Sequence, residues 1–232
     1  MNRRRVTKVS RNNKTGRKHK PKESMFSRVI SGMFTIILTG IFVYGFQCCN
    51  ASDLKFAQVS DAHFSTLNTN TSFKLTGESP KILDDVISQI NETPDINFVM
   101  FTGDQIDKPF EKELNAFLSH VEQLKYPWYV VFGNHDVCVG GFLTKSLYLD
   151  IIGAHNDNFN FTKPYYSFVP QKGYKVIVLD TIIDSRITSN GVISQEQLKW
   201  LDSELDKSKK DIVLIFMHVP IMEPFPSEGH RL

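Results

Sequence analysis

The sequence predicts an α/β domain, and three observations carry that expectation. Past Asp53, six short runs rich in β-branched and aromatic residues alternate with four amphipathic stretches. At 41% hydrophobic and 22% charged over 232 residues, the chain can bury one sizeable core. No internal repeat or low-complexity segment follows the N-terminal tail, which excludes collagen-like and wholly disordered chains.

The elements follow in order. A strand is expected over Leu54 to Ser60, then a helix from Lys81 to Glu92 with Leu83, Val86, Ile87 and Ile90 at helical spacing. A strand over Ile96 to Thr102 precedes a helix from Phe110 to Lys125, whose Leu114, Phe117, Leu118, Val121 and Leu124 form one apolar face. Trp128 to Phe132 reads as a third strand and Phe142 to Ile152 as a third helix. Tyr165 to Val169 and Tyr174 to Asp180 are two further strands. Ser194 and Gln197 form a capping box that opens a helix ending at Ser208, and Ile212 to His218 is the last strand.

Charge divides the chain into two unlike parts. Residues 1–28 carry eleven Lys or Arg against one Glu, whereas the other 204 residues carry 16 basic and 24 acidic side chains. The acidic body argues against general nucleic-acid binding. Residues 29–52 contain no charge, and the run from Met33 to Phe46 is dominated by large apolar side chains. Two exported forms fit: a transmembrane anchor with the tail 1–28 held in the cytoplasm, or a signal segment cleaved after Cys49-Asn-Ala51. Either form places residues 53–232 outside the cytoplasm, membrane-anchored or secreted. An N-terminal hydrophobic helix is therefore expected ahead of the domain. The three cysteines, Cys48, Cys49 and Cys138, form no C-x-x-C pair, so any metal must be held by nitrogen and oxygen. Cys138 reads as a small buried side chain, His19 and His120 as solvated, and His155 as part of a surface turn in the polar loop Ala154 to Asn158.

Polar residues fall where strands end. Asp61-Ala-His63 follows the first, Gly103-Asp104 the second and Gly133-Asn134-His135-Asp136 the third, while His218 closes the last. The carboxyl ends of strands in an open α/β sheet line one crevice, so distant segments would converge there. Carboxylate, imidazole and amide oxygen suit divalent Mn, Fe or Zn. Each piece alone has a plainer explanation as a turn or a structural histidine. All four in this order, each after a hydrophobic run, carry the expectation of a metal site.

Asp61-x-His63, Gly103-Asp104-x-x-Asp107, Gly133-Asn134-His135-Asp136 and His218 resemble the signature of the calcineurin-like metallophosphoesterases, over about Leu54 to Leu232. Tyr165-Tyr-Ser-Phe168, Val176 to Thr181 and Gln195 to Leu201 resemble the bacterial branch that includes cyclic-nucleotide phosphodiesterase-like enzymes. The resemblance implies a layered sandwich of mixed β-sheets flanked by helices. It implies two divalent ions, with Asp61 and His63 on one, Asp104 bridging, and Asn134 and His218 on the other. The implied reaction is hydrolysis of a phosphodiester or phosphomonoester by a metal-bridging hydroxide. In that scheme His135 contacts the phosphate and the departing oxygen, and Asp136 orients its imidazole. Purple acid phosphatases place a tyrosine ligand where Asp107 stands, which speaks against an iron–tyrosinate centre.

One block departs from the pattern. The family's final Gly-His-x-His would bring one ligand to each metal, but Gly229-His230-Arg231-Leu232 ends in leucine. The expectation is a domain incomplete at its C-terminus and an inactive 232-residue chain, with His230 near the site. A noncatalytic module keeping the fold, or a pyrophosphohydrolase of lipid precursors, are the alternatives. The organic group of a small-molecule phosphoester would be read by loops Ser65 to Ser79, Gly140 to Leu147 and Pro220 to Leu232.

Overall fold

Six strands and four helices follow one another in the expected order in the computed structural model, which describes residues 53–137 and 142–221. The basic tail, the apolar segment 29–52, Cys138 and His230 lie outside the described residues. Among the described residues, no helix is long and apolar enough to cross a membrane.

The first half builds a parallel sheet from β1 (Phe56–Val59), β2 (Phe98–Phe101) and β3 (Trp128–Val130), with Phe56 opposite Phe98 and Val99 opposite Trp128. Parallel neighbours need a crossover, and α1 (Ser79–Glu92) and α2 (Glu111–Val121) provide it. β2 reads Phe-Val-Met-Phe because it is the middle strand and is covered on both faces. The second half builds a mixed sheet, in which β5 (Tyr174–Val178) pairs antiparallel with β4 (Tyr166–Phe168) and parallel with β6 (Ile212–Phe216). The crossover from β5 to β6 is α4 (Gln195–Lys207).

Aromatic rings join the two sheets. Tyr129 stacks on Phe168 at 3.8 Å between ring centroids, and Phe98 meets Phe168 and Phe216 edge-on at 5.5 and 6.3 Å. On its other face the first sheet meets α2 through Phe101 and Phe117, 5.4 Å apart. α4 is tied to the outer face of the second sheet by Glu204, which takes a hydrogen bond from Ser167 and a salt bridge from Lys175. The order of layers is helix, sheet, sheet, helix.

Several boundaries differ from expectation for local reasons. α1 starts at Ser79, two residues early, because Pro80 suits the first helical turn, where no backbone N–H is needed. α2 ends at Val121, since Gln123 and Leu124 donate to His120 and Val121 and tighten the chain into three-residue turns. The third helix, α3 (Lys145–His155), is shifted by three residues: Phe142 and Leu143 donate to Pro109, and Thr144 caps by accepting from the Leu147 N–H. Ser194 does cap α4, accepting from the Gln197 N–H at 3.1 Å. The reciprocal half of that capping box is absent, because the Gln197 amide instead bonds both backbone groups of Asp180. His120 is not free in solvent either, since it pairs with Asp84 at 2.5 Å, and His155, exposed at the end of α3, pairs with Glu122 at 2.6 Å.

Candidate metal centre

The segments leaving β1 and β2 run together beyond the sheet. Asp61 N donates to Gly103 O, His63 N to Asp104 O and Phe64 N to Gln105 O, at 3.1, 2.9 and 2.9 Å. This pairing carries Asp61 and His63 alongside Asp104. It requires unusual backbone: Asp61, His63 and Asp104 have φ of 56°, 40° and 52°. Left-handed non-glycine residues cost of order 1 kcal/mol each and persist where surrounding contacts hold them.

Two glycines allow the remaining donors to approach. A Cβ on Gly103 would lie 2.2 Å from His218 Nδ1, and one on Gly133 would lie 2.0 Å from Asp104 N. Gly103 also holds φ of +100°. Both positions therefore need the absence of a side chain.

Asp104 is buried and stands between two imidazoles. Its Oδ2 faces His63 Nε2 at 3.5 Å and its Oδ1 faces His218 Nε2 at 3.6 Å. These gaps are too long for hydrogen bonds. They match two donors that share one ion, because ligands at about 2.1 Å in a tetrahedral shell stand roughly 3.4 Å apart. Two clusters result, His63 with Asp104 and His135, and Asp61 with Asp104 and His218, each with ligand atoms within 4.8 Å of one another. The donor set fits two divalent ions with Asp104 common to both. Asn134 lines the same cavity, of about 320 Å³, as Asp61, His63, Asp104, His135 and His218.

The ring nitrogens are assigned by their partners. His218 Nδ1 lies 3.0 Å from Thr102 O and His135 Nδ1 lies 2.8 Å from Asp107 O. A carbonyl only accepts, so both Nδ1 atoms carry hydrogen and, in the neutral rings, both Nε2 atoms are left with a lone pair. His63 Nδ1 faces the Asp107 carboxylate at 3.5 Å. Burial pushes the His63 imidazole below its ordinary pKa; Lys74 and His135 act the same way, while Asp104 and Asp107 oppose them. Its neutral, ligating form is thereby favoured at neutral pH.

Asp136 is placed otherwise than expected. Fully buried, it accepts from Gly133 N at 2.7 Å and Ile106 N at 3.1 Å, and the ring of His135 is held by Asp107 O instead. Burial and the neighbouring Asp104 push its carboxyl up, although the backbone donors pull the other way. Asp136 thus shapes the turn after β3 and acts on the site only through that turn. Lys74 is a residue of the site that sequence reasoning missed. Its ammonium reaches from the 65–78 loop to Asp107 Oδ1 at 3.1 Å and His63 Nδ1 at 3.3 Å. A single lysine in a polar loop has no spacing signal that could have revealed it.

Comparison with known proteins agrees with this geometry. Residues 54–230 match the family model described as calcineurin-like phosphoesterase. The chain is 30% identical over 164 residues to a probable glycerophosphodiester phosphodiesterase of Arcobacter nitrofigilis, covering 70% of this chain and 56% of that protein. Against tartrate-resistant acid phosphatase type 5 of Rattus norvegicus it is 30% identical over 197 residues, covering 74% of this chain and 57% of the other. The chain thus spans a little over half the length of these curated relatives. A dimetal phosphatase from Danio rerio has the same fold, with a TM-score of 0.55 and 19% identity over 73% of this chain and 70% of that one.

Proposed function

The chain belongs to the calcineurin-like phosphoesterase family, and from that premise we propose that it hydrolyses phosphodiester or phosphomonoester bonds with two divalent metal ions. The observation that carries the proposal is Asp104, whose two carboxylate oxygens face the Nε2 atoms of different imidazoles. By the family pattern Asp61 and His63 would hold one ion, Asn134 and His218 the other, and Asp104 both, whereas the tightest groupings of donor atoms set His63 with His135 and Asp61 with His218, each around Asp104. Bound ions would supply Lewis acidity toward the phosphate and lower the pKa of an attacking water.

The protein's own groups account for the rest of the reaction. The carbonyl of Asp107 fixes the His135 ring and leaves Nε2 available at the cavity wall. As the oxygen of a water that has already released one proton to solvent bonds to phosphorus and the ester P–O bond breaks, protonated His135 Nε2 gives its proton to the departing alcohol oxygen. The Asp107 carbonyl keeps His135 oriented, and Lys74, 3.1 Å from the Asp107 carboxylate, offsets its charge beside His63. The carboxylates of Asp61, Asp104 and Asp107 outnumber the nearby ammonium, so the site attracts cations. The eleven cations ahead of an uncharged segment support a membrane-anchored or secreted protein with this domain outside the cytoplasm.

The test is hydrolysis of bis-p-nitrophenyl phosphate, p-nitrophenyl phosphate and cyclic AMP, with Mn²⁺ and with a chelator, by a form of the protein that carries a final Gly-His-x-His block. Metal-dependent turnover of at least one substrate is expected. Absence of metal-dependent turnover with all three would overturn the proposal.

A further inference from the structure

A second cavity opens beside the metal centre. It measures about 420 Å³ and shares Asp61, His63 and Lys74 with the cavity that holds the histidines. Its floor is Val59, Leu83 and Val86, from β1 and α1. Its rim is Phe73, Leu75 and Ile82, which are 84%, 62% and 46% exposed. Three large apolar side chains held in water around one concavity are unusual for surface residues that serve only the fold. The volume is that of a small-ligand pocket.

We propose that this cleft is the specificity pocket for an apolar organic group on the phosphoester, a proposal that rests on the phosphoester-hydrolase function above. The three residues that line both cavities, Asp61, His63 and Lys74, carry it. A phosphate placed among Asp104, His135 and His218 would lie on one side of His63 and Lys74, with the mostly apolar cleft of Phe73, Leu75 and Ile82 on the other. Lys74 stands at the junction, so the polar part of a substrate meets a cation where the apolar part begins. The implied substrate class is a phosphoester of an alkyl-chain or otherwise apolar alcohol, rather than one whose alcohol is wholly polar.

The probes are methyl-, butyl- and octylphosphonate, which bind without turnover, titrated calorimetrically into the Mn²⁺-loaded full chain. Each fully buried methylene should tighten binding roughly fourfold, so at least about a tenfold gain is expected from methyl to butyl. Phe73→Ser and Ile82→Asn, both at exposed positions, should flatten this dependence. Val86→Phe, which narrows the floor, should end the gain at a shorter chain. Affinity independent of chain length, absence of phosphonate binding at every length, or a dependence that survives all three variants would overturn the cleft assignment. Hydrolysis is scored separately. Chain-length-dependent binding without turnover of any phosphoester would sink the hydrolase proposal and leave the cleft standing.

Discussion

Gly103 and His218 show how closely single residues set the metal centre. A methyl group at position 103 would occupy the space of the His218 ring and sit on backbone at φ of +100°. Gly103→Ala is expected to cost about 1–3 kcal/mol of stability and to weaken metal binding as well. Denaturant unfolding and a metal titration would check both, and an unchanged pair of values would show that the ring can yield. His135→Ala should keep bound metal and lose about 10² to 10⁴ in kcat, as measured on bis-p-nitrophenyl phosphate. Loss of metal in step with rate would make His135 a ligand, which its grouping with His63 and Asp104 permits. At this scale the donors were legible because carboxylate and imidazole at strand ends carry their chemistry in their residue type. The groups that orient them were not. The Asp107 carbonyl and the Lys74 ammonium act through tertiary contact, and a backbone carbonyl has no sequence signature at all. The expectation that Asp136 holds the His135 ring failed because two nearer backbone donors, Gly133 and Ile106, claim its carboxylate.

At the scale of elements, α4 is attached to its sheet by polar groups more than by apolar ones. Gln197 and Glu204 are its buried residues, whereas Leu198 and Leu205 are exposed. Burial raises the Glu204 carboxyl, but hydrogen bonds from Lys207, Ser167 and Lys175 outweigh this and bring it from 4.5 to about 2. A folded-state pKa below the unfolded value adds stability that is complete above about 4.5 and is lost as pH falls toward about 2. Glu204→Gln should therefore lower stability by roughly 1.5–3 kcal/mol at neutral pH. It should also flatten the acid limb of the stability curve. Unfolding midpoints between about pH 2 and 6 would test this, and a variant whose midpoints parallel the wild type would contradict it. Apolar residues at helical spacing located α1 and α2, yet such spacing could not assign the capping roles. Gln197 matched the capping box by spacing and spent its amide on Asp180, a partner 17 residues away that only the folded sheet brings near.

Across the whole molecule, an aromatic seam joins two three-stranded sheets whose carboxyl ends carry the site. Phe98 touches Phe56, Phe168, Phe216 and Tyr129, so its ring belongs to both sheets. Phe98→Ala should cost about 3–5 kcal/mol, seen as a lower denaturation midpoint, whereas a loss under about 1 kcal/mol would mean that the sheets are held elsewhere. The α/β class was readable from the alternation of strands and helices alone. The division into two sheets was not readable from periodicity, because β4 and β5 have the same short, apolar character as β1 and β2. Everything proposed for the metal centre depends on Asp104 as the carboxylate common to two ions. Equilibrium Mn²⁺ binding, followed by the electron paramagnetic resonance of the free ion, tests it in wild type, His63→Ala, His218→Ala and Asp104→Asn. The expected result is that each histidine variant weakens one class of ion and Asp104→Asn weakens both. Wild-type Mn²⁺ binding by Asp104→Asn would contradict the shared-carboxylate centre.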